Sequence, residues 1–408
     1  MSPFIVLPSL SLWLQQLAGI LPLTALIEFI DLATKLHVFE LGGAVSLWHW
    51  PVTPAGARLL LSSRENTDAC CLDHIENCTI LHCIDGRYGD NYPSSTPTTT
   101  RLCVSTREVA IRVENDSPNM KAEGGRKQKL EVVLLTQLQP TFLSNLADPL
   151  VSKQPSSFLR RYVRGLSAYS VKYRIVAGVG WACWIGATIV SFMARLYVAG
   201  AYLLLMPLTG LLVRITHGSA PRHLLDERSS DFQRMVVATS SMNGSDWFAF
   251  YGGSYTVNSL LNKPLYRVGV APISTIIKIL LRVLIGGQWV LIVGSCALQD
   301  WNALVISMWL TFCLLISTFA YPPESSVRDW LRYSCNISVE RIQAEFSTRR
   351  SMLSAMIYLN PDSIERRTKW IDPILADTAE RREWESAVLR FIADGMFSFP
   401  LCIPSYSK

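Results

Sequence analysis

The chain has 408 residues, half of them hydrophobic and only 17% charged, with a mean hydropathy of +0.24 and a formal net charge of +6. A soluble globular chain carries about 25% charged residues, and here the deficit is concentrated in long uncharged runs, which marks a membrane protein rather than a soluble one. The modest positive charge fits the anionic cytosolic leaflet; with no basic run interleaved with aromatics for base stacking, it excludes nucleic acid as a partner.

Residues 1–30 contain MSPFIVLPSLSLWLQQLAGILPLTALI, uncharged until Glu28. A cleaved secretory signal would want a positive n-region, which is missing. The segment is therefore expected to be an N-terminal apolar anchor, with a buried or interfacial segment as the alternative. Pro8, Pro22 and the Gln15–Gln16 pair weaken it as a span.

Residues 31–174 read as a small mixed α/β soluble segment with a cysteine cluster and loops. Its patterns predict an amphipathic helix around Leu26–Leu41 and short strands around Ala44–Trp50 and Arg58–Leu61. Strand is also predicted in RLCVSTREVAIRVE (101–114) and LEVVLLTQL (130–138). The stretches 89–101 and 115–129 read as loops by their Pro, Ser, Thr and Gly content.

Ile175–Met193 and Leu196–Val213 are uncharged runs of 19 and 18 residues separated by Arg195. One continuous helix would run about 58 Å, against a hydrocarbon core of roughly 30 Å. A first transmembrane hairpin over 175–213, turning near Ala194–Gly200, is the expectation. A cytosolic connector (214–278) follows, in which HLLDERSSDFQRMVVAT reads as helix and the aromatic stretch after Ser245 as a capped turn. The second hairpin covers 279–321, with Gln299, Asp300 and Trp301 at its turn and Lys278 and Arg282 snorkelling. In the helical tail (322–408), SVERIQAEFSTRRSMLSAMIYL reads as one helix. In TAERREWESAVLRFI, Trp384, Ala387, Val388, Phe391 and Ile392 form an apolar stripe expected to dock on the bundle.

Basic residues set the sidedness. Lys153, Arg160, Arg161, Arg164, Lys172 and Arg174 precede the first hairpin without an acid among them; the connector and tail carry further Lys and Arg. Only Arg195 and Asp300 fall to the hairpin turns. The soluble segments are thus expected in the cytosol, where Cys70, Cys71, Cys78, Cys83 and Cys103 stay reduced. The sequons at Asn77, Asn115, Asn243 and Asn336 would carry glycan only with the opposite topology.

Three chemistries come into question. Zinc would use Cys71, His74, Cys78 and Cys83 with His82 as an alternate, but no glycine turns a knuckle and the pairs lie too close together. Packing cysteines are the default, so no cofactor or metal is assigned. The run His82–Arg87 partly matches the HCxxGxxR loop of tyrosine phosphatases. That loop needs its arginine six residues after the cysteine, where Gly89 stands here. Acid–base work at the membrane leaves His217, His223, Asp226 and Glu227 as an interfacial group. The hairpin spans hold no acidic residue and no histidine to support a coupled transporter. Glycines 178, 180, 186, 286, 287 and 294 are expected to allow close helix packing.

The stretches FYGGSYTVNSLLNKPLYR (250–267), MIYLNPDS (356–363) and WIDPILADTAERREWESAVLRFI (370–392) resemble a group of uncharacterised multi-pass membrane proteins of filamentous fungi. The resemblance covers about the C-terminal two-thirds and implies no catalytic residues; it implies an accessory role in secondary metabolism by association. The expectation is an α-helical polytopic membrane protein with the lipid bilayer as partner and protein partners for its cytosolic helices. Its function is read as non-enzymatic interaction, scaffolding or pathway accessory. The rivals are a membrane-bound enzyme acting on a lipid-like or secondary-metabolite substrate and, third, a transporter.

Overall fold

The computed structural model describes residues 7–27, 31–43, 46–61, 73, 80–105, 111–114, 127–138, 171–217, 221–224, 232–263, 265, 275–360, 362 and 368–394. The chain divides into two compact units, one holding the long apolar helices and the other a seven-stranded sheet.

In the helical unit, α1 (Leu12–Ala18) and a 3-10 turn (Leu21–Leu26) precede α2 (Leu32–Gly42) and α3 (Pro54–Leu61). Four long helices follow: α5 (Val171–Met193), α6 (Tyr197–His217), α8 (Thr275–Leu298) and α9 (Trp301–Leu315), the last continued by a π-helical turn, Ile316–Ala320. Each of the four is long and apolar enough to cross a membrane, as the uncharged runs predict. Their outward faces leave large apolar side chains uncovered: Val290 is 70%, Met308 71% and Phe319 73% exposed. Lipid is the solvent in which such a surface is stable. The unit closes with α10 (Pro323–Ser334).

Both hairpin turns use one left-handed residue, Arg195 (φ 60°) and Gln299 (φ 51°), and reverse the chain within residues 194–196 and 299–300 respectively. Asp300 then caps α9 through the Asn302 N–H. Asn302 in turn accepts from the Ala199 N–H at 3.0 Å, joining the second turn to the start of α6.

Of the segment expected as an N-terminal anchor, residues 7–27 are described. Over 7–27 the chain forms one seven-residue helix and a six-residue 3-10 turn, neither long enough to cross a membrane. Pro22 sits in the first turn of that 3-10 segment, where a missing N–H costs nothing. Nor is 46–53 a strand. It is an irregular loop buried among the long helices, with Trp48 and Trp50 fully inaccessible. Two glycines make room for it: a Cβ on Gly180 would lie 2.0 Å from the Trp48 ring, and one on Gly210 2.2 Å from the Leu47 carbonyl oxygen. A Cβ on Gly178, Gly186, Gly286 or Gly294 would meet nothing within 4 Å, whereas one on Gly287 would lie 3.2 Å from the Leu205 side chain, so of the six glycines expected to allow close packing Gly180 and Gly287 do so, joined by Gly210.

Irregular backbone at such depth must be satisfied from side chains. Gln288 of α8 does this: Oε1 accepts from the Val52 N–H, while Nε2 donates to the Trp50 carbonyl and to Thr209 Oγ1 of α6. Trp289 Nε1 donates to the Val52 carbonyl at 2.8 Å.

The second unit is a mixed sheet of β1 (His82–Asp85), β2 (Asn91–Pro93), β3 (Ile111–Glu114), β4 (Gln128–Gln137), β5 (Gln233–Thr239), β6 (Asp246–Gly253) and β7 (Ile337–Phe346), in the order β2-β1-β5-β6-β4-β7-β3. β4 runs parallel to β6, and β3 to β7; the other pairs are antiparallel. Leu130, Val132 and Leu134 of β4 share one face with Trp247 and Ala249 of β6 and with Ile342, Ala344 and Phe346 of β7. That face is covered by α11 (Arg349–Leu359), Trp370, Ile371 and α12 (Ala379–Ala393). α7 (Ser254–Leu261) packs on β4, β5 and β6, and α4 (Pro97–Val104) packs on α7. β4 is thus covered on both faces, which explains its near-continuous apolar run.

Two helix readings and one capped-turn reading become strands here. Part of 223–239 is β5, the stretch after Ser245 is β6, and 337–346 is β7 rather than the start of α11. ISVERIQAEF is rich in helix formers, but ten cross-strand pairs to β4 and four to β3 outweigh a propensity spread of a few tenths of a kcal/mol per residue. Conversely 97–104 and 54–61 are helices, each opened by a proline in its first turn. The α12 stripe docks as expected in kind but on the sheet core: Val388 is buried, Trp384 and Ile392 pack beside it, and Phe391 stays 52% exposed.

Candidate functional site: a cleft beside the buried loop

Among the sequence candidates, Cys71, His74 and Cys78 lie outside the described residues, as do Asn77 and Asn115. Cys83 lies within β1, fully buried, its Sγ against the Leu81 carbonyl, with burial pushing the thiol up to about 12. Such a thiol is the reverse of a phosphatase nucleophile, which must ionise readily. Among the described residues no group of three or more His, Cys, Asp or Glu is placed to hold a metal. Asn243 is exposed in the turn between β5 and β6, and Asn336 takes a left-handed conformation (φ 54°) just before β7.

Of the interfacial group, His217 and His223 are described. His217 Nδ1 lies 3.0 Å from Glu40 Oε1 of α2, and both side chains are buried. His223 is paired with the Ser334 backbone, and burial lowers its pKa. Asp226 and Glu227 lie outside the described residues.

A different constellation stands out in the helical unit. A cavity of about 270 Å³ opens between α2, the buried loop and the π-helical end of α9. Its polar lining comes from Asp31, Thr34, Lys35, His49, Ser317, Thr318 and Tyr321; Val38, Phe39, Leu314 and Pro323 form apolar walls. Asp31 caps α2, accepting from the Thr34 N–H and hydroxyl. One turn on, Lys35 Nζ donates to the His49 carbonyl at 2.5 Å and lies 4.6 Å from the centre of the Trp50 ring. Lys35 is half-buried, and desolvation, with an opposing influence from Cys313, brings its pKa from 10.5 to about 7.

His49 is fully buried and stacks on Tyr321. Its Nε2 lies 2.6 Å from the Cys313 carbonyl oxygen and 3.1 Å from Ser317 Oγ. The five-residue hydrogen bond from the Tyr321 N–H to the Ile316 carbonyl widens the helix here, and Ser317 sits on that widened turn. A ring nitrogen so close to a carbonyl oxygen must carry the hydrogen. Nε2 is therefore the donor, and Nδ1, buried without a hydrogen-bond partner among the described residues, holds the lone pair. Desolvation first, then the Lys35 charge, lower the His49 pKa and keep the ring neutral.

Neither Lys35 nor His49 stands out in the sequence as a site residue. The one local signal is LWHWP (47–51), a histidine between two tryptophans in an uncharged stretch, an unusual pattern for an exposed strand. Comparison with protein-family models, with curated proteins and with solved structures finds no match to this chain.

Proposed function

We propose that the protein is a non-enzymatic interaction or accessory protein of a membrane, whose cleft binds a guest rather than transforms it. The observation that carries this reading is the 2.6 Å contact between His49 Nε2 and the Cys313 carbonyl oxygen, which calls for a protonated nitrogen. Serine becomes a nucleophile when a neighbouring imidazole accepts its proton. Here the nitrogen facing Ser317 already gives its proton to the Cys313 carbonyl. Taking the serine proton would require the ring to turn, leaving that carbonyl unpaired in the interior. The geometry favours holding over turnover.

The same reading includes a topology. β4 precedes the first hairpin, β5 and β6 lie between the two, and β7 follows the second. Strands that share hydrogen bonds lie on one side of a bilayer, so each hairpin returns to the side it left. The basic flanks of the spans favour the cytosol for that side. The sheet unit then belongs to the cytosolic side, where its helices meet protein partners. The accessory role implied by the fungal resemblance belongs to this reading.

The test is Ser317→Ala at native expression level in cells where deletion of the gene gives a phenotype. The alanine variant is expected to complement the deletion fully. Loss of function at unchanged protein level would overturn the reading and favour an interfacial enzyme.

A further inference from the structure

The cleft carries more than the statement that something binds there. Among the described residues, Lys35 supplies the one cationic group in its lining, and an ammonium has three N–H donors. One goes to the His49 carbonyl, and the Trp50 ring lies under the charge. The remaining directions open on a cavity whose other walls are Val38, Phe39, Leu314 and Pro323. A volume of about 270 Å³ is room for roughly nine water-sized groups, that is, a head group and the first carbons of a chain. The cleft also lies at the end of the fourth long apolar helix, Trp301–Ala320, the depth at which lipid head groups are met.

We propose that the cleft binds the anionic head group of an acyl-chain amphiphile, with the anion on Lys35 Nζ and the first carbons of the chain between Phe39 and Leu314. This rests on the reading of the cleft as a binding site. Two sources share the chemistry: a free long-chain carboxylate and an anionic phospholipid of the bilayer. The lowered pKa of Lys35 agrees with such a guest, since a half-buried ammonium gains most from receiving a counter-anion. Asp31 opposes it. Its carboxylate lines the same cavity and tunes affinity downward, although its hydrogen bonds to Thr34 direct it along α2.

The experiment uses the full chain in phosphatidylcholine nanodiscs and measures equilibrium binding of radiolabelled decanoate against decanol at pH 6.5, with empty discs subtracted. Saturable binding of one decanoate per chain, at least tenfold tighter than decanol, is expected. Lys35→Met should remove that preference and Lys35→Arg should keep it within about threefold. Asp31→Asn, which still caps the helix, should tighten binding. Thr318→Trp, at an exposed rim position, should block the cleft without touching Lys35. These last two variants decide the matter if Lys35→Met does not fold. Repeating the measurement in phosphatidylserine discs separates the sources: competition assigns the head group to bilayer lipid, and undiminished binding assigns it to a free carboxylate. Equal binding of decanoate and decanol, or decanoate binding unchanged by Asp31→Asn and Thr318→Trp, would overturn the proposal. That failure would leave the non-enzymatic reading standing. A functional defect of Ser317→Ala with decanoate binding intact would do the reverse.

Discussion

The two units of this protein satisfy buried polar groups in opposite ways. The sheet unit pairs them with charged partners, two of the pairs joining distant parts of the chain and one local. Arg234 meets the buried Asp85 through two hydrogen bonds, Arg341 meets Glu131 at 2.6 Å, and Arg381 spans Asp372 and Glu385. The helical unit satisfies its backbone locally and uses few polar side chains. Even so, Ser46, Trp48, His49, Trp50, Tyr202 and Trp309 each keep a buried polar atom with no partner among the described residues. A sheet assembled from three segments must specify register, and charge pairs do so. A bundle in lipid needs only close packing, until an irregular loop enters it. Ser46, Trp48, His49 and Trp50 of this set lie on the loop that lines the cleft, while the sheet unit leaves Trp370 Nε1 without a partner among the described residues.

The comparison breaks most visibly at the glycines. Gly180→Ala drives a methyl into Trp48, and overpacking of this kind costs about 1–3 kcal/mol or more. Gly186→Ala, on the same helix in open space, should be neutral or slightly stabilising. Thermal unfolding in detergent of the two variants side by side checks this. In the sheet unit, Arg234→Met leaves Asp85 buried and unpaired, with an expected loss of about 3–5 kcal/mol by denaturant unfolding. Gln288→Leu strands the Val52 N–H, the Trp50 carbonyl and Thr209, at about 1–3 kcal/mol for each orphaned group. It should loosen the cleft, visible as faster hydrogen exchange over 46–53.

The pH response is smaller and has a defined sign. The folded pKa of Lys35, about 7, lies below its unfolded value of 10.5. The penalty for burying its charge is fully present below pH 7 and is relieved as pH rises from 7 toward 10.5. Wild type minus Lys35→Met in Tm should therefore increase over that window; a flat or falling difference would contradict the burial of the ammonium. The smallest effect is at Cys83, whose thiol, raised to about 12, should resist alkylation in the folded protein at pH 7.5 and react on unfolding.

What is legible in the sequence follows the same division. The four long helices and their turns follow from uncharged length alone, because in a bilayer every backbone group must be satisfied within its own segment. The sheet is only partly legible. β4 has its own apolar run, but β7 reads as helix in isolation and becomes strand only between β3 and β4. The cleft is the least legible, since Lys35, His49 and Ser317 come from a helix, a loop and a π turn that no local pattern connects. Spacing already argues against a phosphatase loop at Cys83, and the fully buried strand that raises its thiol adds an environment that spacing does not encode.

The most direct test of the double-hairpin account is accessibility of single introduced cysteines to an impermeant maleimide in sealed vesicles, read as the increment over the parent chain. Tyr88→Cys, Asn243→Cys and Glu340→Cys sit at exposed positions of the sheet unit before, between and after the hairpins. Arg195→Cys and Gln299→Cys sit at the hairpin turns. The account predicts that the first three label together from one side and the last two from the other. Labelling of 88, 243 and 340 from different sides of the membrane would contradict it.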